Sequence, residues 1–353
     1  MREAKQIDFN GQNIYTGIDV HKKSWQVSIY TEQFEHKTFT QPPVSKTLVS
    51  YLQRTFPGGK YHAAYEAGFS GFWAHDELTG LGVDCIVVHP GDVPTTDKER
   101  RHKTDPRDAR KLAKQLRSGA LEAIHVPSIR LREDRSLIRQ RKTLRKEETR
   151  VKNRIKQFLH FRGVDIPVHF SNSYWSGSFI KWLEELSLYC GTGTATLSSL
   201  LRQLSSRRKE LAYLSRDIRA LSKTEAYRDR VKYLSSLSGI GALSAMIWLT
   251  ELGDIHRFRD FDQLCSYVGL VPWEHSSGDH ETTGGLDRRG NKVLRTLLIE
   301  NAWVAVRKDP ELMLAYSQYI KRMKGQQAIV RIARKLLRRI RFVLINEQVL
   351  EQV

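Results

Sequence analysis

The sequence predicts a mixed α/β domain at its N-terminus, an extended helical middle and a mostly helical C-terminal region. Three observations carry this. Between residues 14 and 117, short runs rich in β-branched and aromatic residues alternate with helix-period segments. Apolar residues then recur every seven positions, at Leu137, Leu144, Val151 and Phe158, and again at Leu197, Leu204, Leu211 and Ile218. From about residue 228 the chain turns compact again, with apolar helix-length segments punctuated by glycine.

The first two strands are IYTGIDV and WQVSIYT within residues 14 to 31, and HKTFTQ at 36 to 41 makes a third, so an antiparallel meander is expected. A helix through SKTLVSYLQRTF follows, then the strand YHAAYEA at 61 to 67, a helix through GFWAHDELTGLG, the strand CIVVHP at 85 to 90 and a helix through DPRDARKLAKQL. The order βββαβαβα is that of a ribonuclease-H-like domain, assigned to residues 1 to 127, whose central strand carries Asp19.

Residues 128 to 227 read as a helical connector whose two heptad seams, the second with Leu214 and Leu221 at the three-residue offset, make an antiparallel hairpin, a dimeric coiled coil, or both. The stretch GVDIPVHFSNSYWSGSF between them is expected to be loop. In residues 228 to 353, LSSLSGIGALSAMIWLTELGDIHRF places a GIG turn between two apolar helices. This has the form of a helix-hairpin-helix, whose backbone amides can meet a phosphate; a plain tight turn reads the same way. A helix through DFDQLCSYVGL, a glycine-rich stretch VPWEHSSGDHETTGGLDRRGNK and a basic helical tail complete the chain.

With 353 residues, 40% of them hydrophobic, the chain can bury real cores without staples. Cys85, Cys190 and Cys265 lie far apart with no metal-type spacing, which excludes a disulfide framework and a zinc site and points to a reducing, cytoplasmic compartment. No apolar run suggests a signal peptide or a membrane span. The formal charge is +19, from 58 Lys and Arg against 39 Asp and Glu, the footprint of a polyanionic partner. Residues 98 to 117, KERRHKTDPRDARKLAKQLR, hold nine basic and three acidic residues, among them Lys103, Arg107, Arg110 and Lys111. One such run alone is equally a solvated helix face; several on one chain favour nucleic acid.

Asp19 closes an apolar strand, Glu66 closes another before Gly68, and Asp105 and Asp108, three apart near a helix start marked by Pro106, share a face. Four carboxylates from three elements would meet at one sheet edge, where only divalent cations relieve their repulsion; oxygen ligands suit Mg²⁺ or Mn²⁺, and a pair of ions suits phosphoryl transfer. Singly, Asp105 reads as well as a helix N-cap and Glu66 as half an ion pair.

GIDVHK, YEAG and HKTDPRDA, then LSGIGALSA, LGDIHRF, GLVPWEHSSG and GLDRRGNKVLR, resemble in combination the DEDD transposases of the insertion-sequence-110 family, over nearly the whole chain. The resemblance implies a RuvC-like N-terminal domain with Asp19, Glu66, Asp105 and Asp108 as the metal site. It also implies a C-terminal catalytic serine just before a glycine, here Ser277 beside Ser276, that forms a phosphoserine link to DNA. Arg288, Arg289 and Lys292 can hold the scissile phosphate, and His275 is read as a solvent-facing loop residue or a proton acceptor. The family further implies donor and target DNA, a guide (bridge) RNA from the element's own noncoding end, and a dimer or tetramer whose active site joins domains of two subunits.

Three other functions fit the same residues. A site-specific invertase would act at fixed inverted sites and is distinguished by genomic context. A junction nuclease needs only the RuvC-like half. A non-catalytic RNA- or DNA-binding scaffold would be untouched by Asp19→Ala.

Overall fold

The computed structural model describes residues 8–94, 104–171, 174–277, 280–286 and 289–350, and for 272–277 and 280–286 it describes the backbone course and strand pairing. The chain divides into two compact units, Met1–Val126 and Pro127–Val353.

In the first unit, β1 (Asn13–Val20), β2 (Trp25–Tyr30) and β3 (Glu35–Gln41) form the antiparallel meander, followed by α1 (Ser45–Thr55), β4 (Lys60–Glu66), α2 (Trp73–Gly80), β5 (Asp84–Val88) and α3 (Asp105–Arg117). The sheet order is β3-β2-β1-β4-β5, with β4 parallel to both β1 and β5. Two crossovers therefore put β1 at the centre and align the C-terminal ends of β1, β4 and β5 along one edge.

Both faces of the sheet are covered, so β1 has five buried and three half-buried residues and no exposed one. Ile14, Ile18, Trp25, Val27 and Tyr65 pack with Leu48, Leu52 and Leu78 of α1 and α2. The opposite face receives α3, where Leu112 clusters with Val88 and Ile86.

The second unit opens with two long helices, α4 (Ile129–Phe161) and α6 (Gly191–Leu221), and between them a shorter one, α5 (Gly177–Glu185). Arg141 bonds Ser215, Glu147 pairs with Arg207 and Glu148 with Arg208, so the long helices run antiparallel. Leu144, Val151, Leu197, Leu204, Leu211 and Ile218, all from the seven-residue seams, are buried.

The segment expected to be loop before α5 is only partly so. Val168–Phe170 forms a 3-10 turn, and α5 begins inside it at Gly177, with the Ser176 hydroxyl accepting from the Phe179 amide. Aromatic packing overrides the turn-rich composition: Phe170, Trp175 and Trp182 all pack around the Phe179 ring.

The remainder is α7 (Arg228–Ser235), α8 (Ala242–Leu252), α9 (Phe261–Val268), the hairpin β6 (Pro272–Ser277) and β7 (His280–Leu286), then α10 (Lys292–Ala305), α11 (Pro310–Ile320) and α12 (Gly325–Ile345). Helix α8 is its axis, with Met246, Trp248 and Leu249 buried against Leu298, Leu336 and Ile340. The glycine-rich stretch is thus mostly an antiparallel hairpin. Its Thr-rich and aromatic positions prefer strand, a signal the glycines mask in the sequence.

Candidate functional site

Gly17 brings the acidic residues together. A Cβ there would lie 2.1 Å from the Ala109 carbonyl oxygen and 2.4 Å from the Ala113 nitrogen, so α3 rests its backbone directly on β1. Side chains alternate along a strand, so Asp19, two residues on, faces α3 as well. Ala64 lies in register with Gly17, which sets Glu66 on that same face at the end of the neighbouring parallel strand. Helix α3 starts at this edge, with Thr104 as N-cap and both Asp105 and Asp108 in its first turn. Carboxylates there are favoured by the helix dipole in any protein, so their position gains meaning only from the presence of Asp19.

Among the described residues, Asp19, His21 and Asp105 present ligand atoms that all lie within 4.8 Å of one another. The His21 Nε2 is 3.1 Å from Asp19 Oδ2 and 3.5 Å from Asp105 Oδ2. Asp19 is the least exposed, its side chain 25% accessible against 44% for His21 and 64% for Asp105. Burial, before all else, holds the Asp19 carboxyl above the usual aspartate range; His21 draws it back, and the charges of Asp105 and Asp108 push it up again. Asp108 therefore acts on Asp19 electrostatically, while Glu66, half-buried at the strand end, is outside the three-residue group.

A divalent cation fits this donor set. Two carboxylates and an imidazole converge on one point; burial first, and then the charges of Asp105 and Asp108, disfavour the Asp19 anion, and a bound cation would offset both. His21 is the residue that sequence reasoning passed over. It stands in the four-residue turn between β1 and β2, and a histidine two positions after a strand-end aspartate was the available signal.

The basic residues divide. Arg110 is engaged within its own unit, donating from Nε to Glu35 at 2.7 Å. Arg107 and Lys111 lie in α3 on either side of it, the first exposed and the second half-buried. Arg289 and Lys292 are exposed, Lys292 as the first residue of α10, while Lys103 and Arg288 lie outside the described residues.

In the second unit Ser277 is the last residue of β6 and pairs across the hairpin with His280; Ser276 pairs with Glu281 and His275 with Thr282. The base of the hairpin is clamped. Gly290 approaches Gly269 so closely that a Cβ on it would lie 2.2 Å from the Gly269 Cα, and the Asn291 amide donates to the Tyr267 carbonyl at 2.7 Å. Asn291 also reaches Glu251, a carboxylate only 1% exposed that Arg139 of α4 holds with two bonds, of 2.7 and 2.8 Å. Burial pushes the Glu251 carboxyl up, but Arg139, Asn291 and Arg135 together hold it below the usual range. The sequence signal was a lone acidic residue in the apolar run ALSAMIWLTEL.

The GIG turn joins α7 to α8 as expected. Gly239, at φ +89°, lies against α10, where a Cβ would be 2.4 Å from the Asn301 carbonyl oxygen. Ser235, Ser236, Ser238 and Lys308 help to line a cleft of about 430 Å³ beside it.

A DEDD-type family model described as a transposase matches residues 16–162, across all four acidic residues, and the model described as "Transposase IS116/IS110/IS902 family" matches 231–318, across the hairpin. The putative transposase y4rJ of Sinorhizobium fredii is 31% identical over 308 residues, covering 77% of this chain and 74% of its own. The transposase of insertion sequence element IS1533 from Leptospira borgpetersenii is 28% identical over 304 residues, 83% of this chain and 85% of its own. That of IS1111A from Coxiella burnetii is 28% identical over 344 residues, 95% and 88% of the two chains. Similarity that runs through both units and most of each relative is the mark of common descent, and the chain belongs to the IS110 family of transposases.

Proposed function

We propose that the protein is an RNA-guided DNA recombinase that mobilises an insertion sequence. The observation that carries this is the meeting of Asp19 and Asp105, with Asp108 in electrostatic range, at the C-terminal edge of the sheet in a chain of transposase descent. Strand order β3-β2-β1-β4-β5 supports an RNase H-like, RuvC-like reading of residues 1–127. The buried heptad positions support a coiled-coil reading of 128–227 as connector and contact between subunits. Residues 228–353 are the serine-bearing transposase domain, with the GIG turn as a helix-hairpin-helix phosphate contact.

Asp19, Glu66, Asp105 and Asp108 would hold Mg²⁺ or Mn²⁺, which when bound would supply Lewis-acid polarisation of a phosphate group. Ser277 Oγ attacks phosphorus and gives up its proton to solvent; the bond from phosphorus to the leaving deoxyribose oxygen breaks, that oxygen takes up a proton from solvent and departs as a hydroxyl, and the DNA is left linked to the serine with no net change in protons. Arg288, Arg289 and Lys292 neutralise the scissile phosphate, and Lys103, Arg107, Arg110 and Lys111 contribute to the nucleic-acid surface. The working unit is a homo-oligomer. Sequence choice lies with guide RNA, bound through phosphates and 2′-hydroxyls.

Incubating the protein, its copurified RNA and labelled donor DNA, then resolving protein-linked DNA on denaturing gels, tests this. Wild type yields an adduct; Ser277→Ala yields none, and Asp19→Ala yields none while still retaining nucleic acid. An adduct undiminished in Ser277→Ala and lost in Ser276→Ala would move the nucleophile by one residue. Adducts surviving in both would remove the serine from the mechanism. Sequencing the copurified RNA separates a discrete guide from bulk RNA, which would overturn the RNA-guided part.

A further inference from the structure

We propose that His21 is a ligand of the cation held by Asp19 and Asp105, so that one position of an otherwise all-oxygen site is an imidazole nitrogen. The inference rests on the carboxylate metal site proposed above and adds a residue to it.

Two observations carry it. The first is spacing. For a six-coordinate ion with bonds of about 2.1 Å, ligand atoms at right angles are about 3.0 Å apart. His21 Nε2 stands 3.1 Å from Asp19 Oδ2 and 3.5 Å from Asp105 Oδ2, so both separations that involve the imidazole lie close to those of neighbouring ligands on one ion, and the three ligand atoms all fall within 4.8 Å of one another. The second is the way His21 is held. It occupies the tight turn between β1 and β2, where its amide bonds the Ser24 carbonyl at 3.2 Å, and Val20 and Trp25 pair directly on either side. Its backbone is therefore fixed by the sheet, while its side chain, 44% exposed, is free to adjust by tenths of an ångström. Without the ion the Nε2–Asp19 contact is a hydrogen bond that keeps the imidazole beside the least exposed carboxylate of the three; to bind the ion, Nε2 must present its lone pair, with the ring proton on Nδ1.

The consequence is selectivity. Mg²⁺ gains little from nitrogen in place of water, whereas Mn²⁺ accepts imidazole more readily and stands in the first-row series in which nitrogen ligands add affinity. Loss of His21 should therefore weaken Mn²⁺ binding by about tenfold and Mg²⁺ binding by much less, about two- to threefold.

The test is pulsed electron paramagnetic resonance on the full-length protein loaded with one equivalent of Mn²⁺, with Asp19→Asn and His21→Asn beside wild type. Calorimetric titration of Mn²⁺ and Mg²⁺ into each accompanies it. Wild type should show a ¹⁴N coupling to manganese that becomes a ¹⁵N coupling when histidine alone is ¹⁵N-labelled, and that vanishes in His21→Asn while Mn²⁺ still binds. The chain has 12 histidines, so the variant is what assigns the signal. Asp19-dependent Mn²⁺ binding without nitrogen coupling, or a coupling that survives His21→Asn, overturns the role of His21 and leaves the carboxylate site standing. Absence of any Asp19-dependent Mn²⁺ binding overturns the metal reading itself. Circular dichroism on the variants separates these outcomes from misfolding.

Discussion

Gly17→Ala tests how the fold builds the acidic site, because a single methyl group would be placed where α3 touches β1. The new Cβ would lie 2.1 Å from the Ala109 oxygen, 2.4 Å from the Ala113 nitrogen and 2.9 Å from the Leu112 Cβ. Carbon and oxygen rest at about 3.3 Å even in close contacts, so the helix must retreat by about 1 Å. Two of the three obstacles are backbone atoms, which cannot swing away as a side chain can. Overpacking of this kind costs about 1–3 kcal/mol, offset by about 0.4–1 kcal/mol from the stiffer unfolded chain. The expected net loss is about 1–2 kcal/mol. Asp105 and Asp108 ride on the first turn of α3, so the same retreat draws them from Asp19 and should lower Mn²⁺ affinity at least about tenfold. Urea unfolding and Mn²⁺ calorimetry measure the two effects. Gly80→Ala is the control: it makes the same chemical change on an exposed helix position with nothing within 4 Å, and should be neutral or slightly stabilising. If Gly17→Ala matched the control in stability and kept wild-type Mn²⁺ affinity, the reasoning that close packing at Gly17 sets the carboxylate cluster would be wrong.

Two further outcomes follow from the charges. Because burial, Asp105 and Asp108 raise the Asp19 carboxyl above 3.8, Asp19 favours the folded state at low pH and loses that contribution as pH rises through its folded value. Without divalent metal, Asp19→Asn should therefore melt above wild type at pH 7 but not at pH 3, and should lose the gain in Tm that Mg²⁺ gives wild type. Glu251 works in the opposite sense: held below 4.5, it stabilises at neutral pH, and that contribution is lost as pH falls through its lowered folded value. Arg139→Ala leaves a buried carboxylate with, among the described residues, Asn291 and the charge of Arg135, so it should cost about 3 kcal/mol at pH 7, the low end for a broken buried pair. The loss should shrink in acid; a pH-independent loss in urea melts would assign it to packing alone.

Much of the first unit was legible because its signals are local. The strands from IYTGIDV to CIVVHP follow from β-branched and aromatic composition, and the register of their ends follows from Gly68 and the helix-starting TDPRD. The heptad seams were equally plain, since a seven-residue period survives without knowledge of the partner helix. Two features were obscured. In SYWSGSF, turn-forming residues hide a helix that is stabilised by distant aromatics such as Phe170, and in the serine-bearing stretch glycines hide a hairpin.

By itself, then, the sequence determined the order of elements, the acidic residues at the strand and helix ends and the basic excess, because each depends on neighbours a few positions away. The tertiary structure decided which of them meet. That α3 lies on the face of Asp19 depends on Gly17 having no side chain; that His21 joins Asp19 and Asp105 depends on a β-turn and a helix 84 residues apart. Glu251 acquires Arg139 and Asn291 only when α4, α8 and the hairpin base fold around it. Such contacts join residues far apart in the chain, and their geometry is set by packing that no local pattern encodes.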